Sequence, residues 1–73
     1  MKPEDLKEFD EVIITGTDCN GVRRENMKAC IAATGYKEGH PNYRGFKCWP
    51  MEFDGKIWFD FDDVESLTAN TSY

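Results

Sequence analysis

Arg44–Phe61, RGFKCWPMEFDGKIWFDF, holds both tryptophans and four of the five phenylalanines of a 73-residue chain. Asp54-Gly55 lies between two apolar runs, a strong hairpin signal, because a two-residue type I′ turn needs positive φ at both central positions. That turn sets a register of Phe53 opposite Lys56, Met51 opposite Trp58 and Trp49 opposite Asp60. Side chains alternate along a strand, so Trp49, Met51, Phe53 and Trp58 share one face and Phe46, Cys48, Ile57, Phe59 and Phe61 the other. Both faces are apolar, whereas a half-buried strand pair shows one polar face. Each face therefore needs a cover, or one is a contact surface. Pro50 has no N–H to give to a ladder, which marks its strand as an edge or the place of a bulge. An open edge accepts another chain's strand.

Upstream, Glu11–Thr15 (EVIIT) is a β-branched run ended by Gly16 and reads as a strand. Three consecutive apolar residues there predict burial on both faces. Gly16–Gly21 (GTDCNG) is a loop. Residues 21–34 predict the main helix, with Asn20 or Asp18 as N-cap. At 100° per residue Val22, Met27, Ala29, Cys30, Ile31 and Ala33 make one face, opposite Arg24, Glu25 and Lys28. Gly35 then stands at C′, with Tyr36 packing back on Ile31. Pro3–Phe9 predicts a short helix, 37–43 a loop, and Asp62-Asp63-Val64-Glu65 a capped helical turn that docks Val64 and Leu67. Residues 68–73 read as a frayed polar tail. The expected fold class is α+β: one domain over 1–73 with a short N-terminal helix, one strand, a main helix on the hairpin and a closing helical turn.

Charge is unevenly spread. Residues 1–18 hold two basic and six acidic side chains, 19–51 six and two, and 52–73 one and six, for a net charge of −5. An acidic whole disfavours non-specific nucleic-acid binding, while the middle of the chain is basic. Three widely spaced cysteines are an odd set, which fits free thiols in a reducing compartment and a cytoplasmic protein. The charged N-terminus lacks the apolar core of a secretory signal, and no apolar run is long enough for a membrane span.

Chemistry-bearing patterns are sparse. Cys19, Cys30, His40 and Cys48 have the ligand types of a zinc site without the paired knuckles. Asp60, Asp62, Asp63 and Glu65 lack the spacing of a calcium loop. One histidine in a Gly-Pro loop fixes no base–nucleophile pair, and the glycines form no phosphate-binding motif. We expect no catalytic residue, cofactor or metal, and no enzyme activity. The reading is a protein-binding module, of the kind phages and mobile elements use as regulators or inhibitors. It acts through Trp49, Met51, Phe53 and Trp58, with a protein partner or a second copy as occupant. Its acidic ends form a surface able to imitate nucleic acid.

NGVRRENMKACIAATGY, followed by the hairpin and GKIWFDFDDVESL, resembles the recognition helix, wing and closing segment of small winged-helix proteins of the excisionase/MerR type. That resemblance implies nucleic-acid binding, with Arg23, Arg24 and Lys28 facing the groove.

Overall fold

In the computed structural model the chain is a single antiparallel sheet. It describes residues 2, 5–37, 40–52 and 54–70, of which 36–37 and 40–43 are described as backbone only. The strands are β1 (Glu11–Thr17), β2 (Arg23–Lys37), β3 (His40–Pro50), β4 (Ile57–Asp60) and β5 (Val64–Ala69), with a 3₁₀ turn at Phe61–Asp63. Their order across the sheet is β4-β3-β2-β1-β5. β4 and β5 are thus the two edges, yet three residues join them. Four strand spacings make about 19 Å if the sheet is flat. A 3₁₀ link from Asp60 to Val64 advances about 8 Å, at about 2.0 Å per residue. The sheet therefore curls until its edges approach, giving a small open barrel.

Curling is built into the strands by bulges. Between β1 and β2 the pairing passes from Ile14–Met27 to Gly16–Arg24, an extra residue on β2. Asn26, at φ 47°, lies in that bulge, and its N–H donates to Thr15 Oγ1 at 3.0 Å. A second β2 bulge lies between Ile31–Cys48 and Ala33–Lys47, and β5 carries one opposite Thr15/Gly16. β2 pairs with β1 through its first half and with β3 through its second, so it forms the corner of the barrel.

The interior is one cluster: Leu6, Val12, Ile14, Met27, Ala29, Ile31, Phe46, Cys48, Ile57, Phe59 and Leu67, with Phe61 and Val64 packed against it. Phe46 stacks on Phe59 at 5.4 Å and on Phe61 at 6.2 Å between centroids. The inner face of the β3–β4 hairpin is thus covered by β1, β2 and β5 of the same curled sheet.

The expected α+β class is overturned: no described stretch forms a helix of seven residues or more. Of residues 21–34, expected as the main helix, 23–34 lie in β2, because Met27, Ala29 and Ile31 point inward at period two while Lys28 and Cys30 point outward. Helix formers such as Ala, Met and Lys yield here to burial, a tertiary override of a weak preference. Gly35, expected as a C-cap, lies in β2 opposite Gly45, and backbone at Lys37 pairs with His40 where a loop was expected. The winged-helix resemblance loses its recognition helix with this strand. Of the expected closing helical turn, Asp62 and Asp63 lie in the 3₁₀ turn, whereas Val64 and Glu65 begin β5, which also takes Thr68 and Ala69 out of the expected frayed tail. Of the short helix expected at Pro3–Phe9, residues 3 and 4 lie outside the described residues; Asp5 is 3₁₀-helical, its N–H donating to the Lys2 carbonyl, and the following residues turn, with Asp10 N–H donating to the Lys7 carbonyl. No helix among the described residues is long and apolar enough to cross a membrane.

Two features lock the seam. Gly16 faces β5 so closely that a Cβ there would lie 2.5 Å from the Asp63 carbonyl oxygen and 3.1 Å from Val64 Cα. Asp18, 3% exposed, organises the β1–β2 turn. Its carboxylate accepts from Asn20 N–H at 2.9 Å, Val22 N–H at 3.0 Å and Arg24 Nε at 3.1 Å. This is the N-cap chemistry expected of Asp18, used in a β-turn, since both motifs satisfy free backbone N–H groups. The next residue fastens the turn to β4, as Cys19 N–H donates to the Trp58 carbonyl at 2.9 Å.

A chain of this length has on the order of 4–11 kcal/mol of total stability. We expect Gly16→Ala to cost about 1–3 kcal/mol, because the backbone it meets must move. Asp18→Ala should cost about 3 kcal/mol, leaving a half-buried guanidinium and two N–H groups without their acceptor. Urea midpoints check both, and a midpoint unchanged by Asp18→Ala contradicts the seam.

Candidate functional site

The β3–β4 hairpin builds the most distinctive surface. Its ladder pairs Gly45 with Asp60, Phe46 with Phe59, Lys47 with Trp58 and Cys48 with Ile57. This is four residues away on β3 from the register expected from Asp54-Gly55. Gly55 has the positive φ of a turn glycine, at 112°, but the ladder ends at Cys48–Ile57, so the connection from β3 to β4 is longer than a two-residue type I′ turn. Pro50 ends β3, paired with Ala29 of β2, and the next N–H, that of Met51, donates to Lys28 of β2 at 2.9 Å. Past Cys48 the chain thus stays with β2 and leaves β4, as a residue without an N–H favours.

An even displacement keeps each residue on its expected face and changes its neighbours. Phe46, Cys48, Ile57 and Phe59 are in the core, while Trp49 and Met51 are 40% and 49% exposed and Trp58 is half-buried. Phe53 lies outside the described residues. Each tryptophan now faces a lysine rather than Met51 or Asp60. Lys47 Nζ lies 5.4 Å from the Trp58 ring centroid, and Lys56 Nζ lies 5.7 Å from that of Trp49. Lys47 and Trp49 alternate on β3, as Lys56 and Trp58 do on the facing segment. The result is a two-by-two checkerboard with tryptophans on one diagonal and lysines on the other. Each exposed cation–π contact is worth about 0.5–1 kcal/mol, enough to bias where the lysines rest.

β2 extends the patch. Cys30 stands between Glu11 of β1 and Trp49 of β3, and Lys28, paired with Ile13, adjoins Met51. The surface therefore joins Trp49, Met51 and Trp58 to Lys28, Lys47 and Lys56 in a chain whose net charge is −5. Lys47 and Lys56 are partners that the Asp-Gly register concealed. The signal for them was the Lys-x-Trp and Lys-x-Trp spacing itself, 47–49 and 56–58.

Arg23, Arg24 and Lys28, expected together on a helix face, are not brought together. Arg23 bridges Glu25 at 3.2 Å and makes a two-pronged contact with Glu65, joining β2 to β5. That pair holds the Glu65 carboxyl below its ordinary range and the Arg23 guanidinium above. Arg24 is engaged with the buried Asp18. Only Lys28 of the three lies beside the tryptophan patch.

The cysteines do not form a site. Cys19 is exposed, Cys30 half-buried and Cys48 buried. Burial, with the nearby Cys30, pushes the Cys48 thiol up to about 12. Burial and the Glu11 and Asp10 carboxylates also raise Cys30. Among the described residues no cluster of three or more His, Cys, Asp or Glu side chains is placed to hold a metal. Compared with known proteins, the chain matches no family model, no curated protein and no solved structure.

Two solution experiments probe this geometry. At pH 8 a thiol reagent should modify Cys19 promptly and reach Cys48 only after unfolding, because the thiolate is the nucleophile. Equal rates at the two positions contradict the buried placement. The lysines should make iodide quench tryptophan fluorescence more strongly than caesium, and Lys47→Glu with Lys56→Glu should reverse that order. Equal quenching in both proteins contradicts the checkerboard.

Proposed function

We propose that this protein is a small binding module, a regulator or inhibitor that works by occupying another protein through the outer face of the β3–β4 hairpin. The observation that carries this reading is the exposure of Trp49, near the end of β3, and of Met51, just past it, beside Trp58 of β4. Aromatic, methionine and arginine side chains are enriched in protein interfaces, and tryptophan is prominent among the residues whose truncation costs most. A sheet face presents these side chains pre-ordered, so less conformational entropy is lost on contact than with a loop. The surrounding lysines add steering toward an acidic partner, an effect that weakens with salt.

The nucleic-acid alternative has less support. It drew on Arg23, Arg24 and Lys28 as one helical face, and two of these now meet carboxylates.

The test places a photo-crosslinking amino acid at position 51 of the full chain expressed in its host. A second protein carries it at Ser66 on β5, away from the hairpin. We expect discrete protein adducts from position 51 that weaken when Trp49→Ser is added, with circular dichroism confirming the fold. Equal adducts from both positions, or adducts to nucleic acid alone, would overturn the proposal.

A further inference from the structure

We infer that the occupant of this face is an acidic, extended segment of a partner protein, with carboxylates at alternate positions and a large apolar side chain at the next alternate position. This rests on the proposed binding surface and adds the chemistry of the partner. Three observations select it over the other candidates.

The first is the lysine diagonal. Lys47 of β3 pairs with Trp58 of β4, and Lys56, the residue just before β4, lies against Trp49, so the two lysines take opposite corners of a two-by-two set. Such diagonal positions are about 7–8 Å apart at the backbone. Side chains two residues apart on an extended peptide point the same way and are separated by about 6.4–6.8 Å. An acid-x-acid segment therefore matches the lysine pair, and Lys28 provides a third cation next to Met51. The next side chain on the same face, two residues beyond the carboxylates, meets the apolar edge of the patch, which suits a large apolar residue.

The second is size and symmetry. The patch has about six contributing side chains, whereas a stable protein–protein interface uses about 20–30 residues a side. It suits a linear segment. A second copy meeting this face about a two-fold axis would bring three more lysines into the interface, with no carboxylate among the six side chains to meet them.

The third concerns the ring faces. Single-stranded nucleic acid binds such surfaces by stacking bases on open aromatic faces. Here each tryptophan has a lysine ammonium within 6 Å of its ring centroid. The −5 charge of the chain also opposes a long polyanion. A peptide carboxylate needs only the outer side of the ammonium, which stays in place over the ring.

The experiment pans a phage-displayed library of random 12-residue peptides against the full-length protein, then measures resynthesised peptides by fluorescence polarisation. A labelled 12-nucleotide oligo-dT is measured in parallel. We expect enriched peptides to carry Asp or Glu at alternate positions beside a large apolar residue. Binding should weaken at least tenfold in Lys47→Glu/Lys56→Glu and in Trp49→Ser, fall with added salt, and persist in Ser66→Arg. Non-acidic peptides that still depend on Trp49 overturn the acidic inference and leave the binding surface standing. Acidic peptides indifferent to both sets of substitutions overturn the inference and the surface together. Tight, Trp49-dependent binding of oligo-dT does the same in favour of nucleic acid. Enrichment of no peptide overturns the linear-segment partner.

Discussion

The three-residue link between β4 and β5 is the constraint on which the structure depends. It joins opposite edges of a five-stranded sheet, so the sheet must bend, and bending gives the chain an interior without a helix. The bulges of β2, the close approach at Gly16 and the pairing of Arg24 with the buried Asp18 all answer to that closure. Asp60 starts the link by accepting the Asp62 N–H at 2.9 Å, and Val64 ends it by donating to the Phe61 carbonyl. Two short local contacts thus direct the course of a whole strand.

Closure also determines what remains outside. The inner row of the β3–β4 hairpin becomes core, and the outer row has no element over it among the described residues. A flat sheet of these strands would leave both rows in need of cover, as the two apolar faces of the sequence imply. Curling satisfies one face and leaves the other, with its lysines, as surface. The checkerboard follows from the fold in this sense: it is the outward half of an alternation whose inward half holds the barrel together.

Some of this was legible in the residues. β1 reads directly from Val12-Ile13-Ile14, where β-branched side chains favour an extended backbone. The partition of the hairpin into two faces is legible too, because it depends only on parity and survives a shift of four residues. The pairing itself is not, since Asp-Gly suggests a tight turn while the missing N–H of Pro50 lets β3 leave β4 early. β2 misleads because its alternating Met27, Ala29 and Ile31 are embedded in helix-forming residues, and Cys30 fills the gap in the apolar helical face. The acids at 60–65 suggest a helix start, but capping chemistry supports a single 3₁₀ turn equally well. The Lys-x-Trp spacing puts Lys47 and Lys56 on the tryptophan face, but which lysine meets which tryptophan is a property of pairing rather than of sequence spacing.

The central claim is that the hairpin pairs Lys47 with Trp58 and sets Lys56 over Trp49 on the outer face. Nuclear Overhauser spectroscopy of the folded protein addresses it most directly. The account predicts contacts from the Trp58 indole to the Lys47 methylenes and from the Trp49 indole to those of Lys56, with the lysine protons moved upfield by the rings. Contacts from Trp58 to Met51 instead, with lysine shifts at their unstructured values, would restore the tight-turn register and contradict the account.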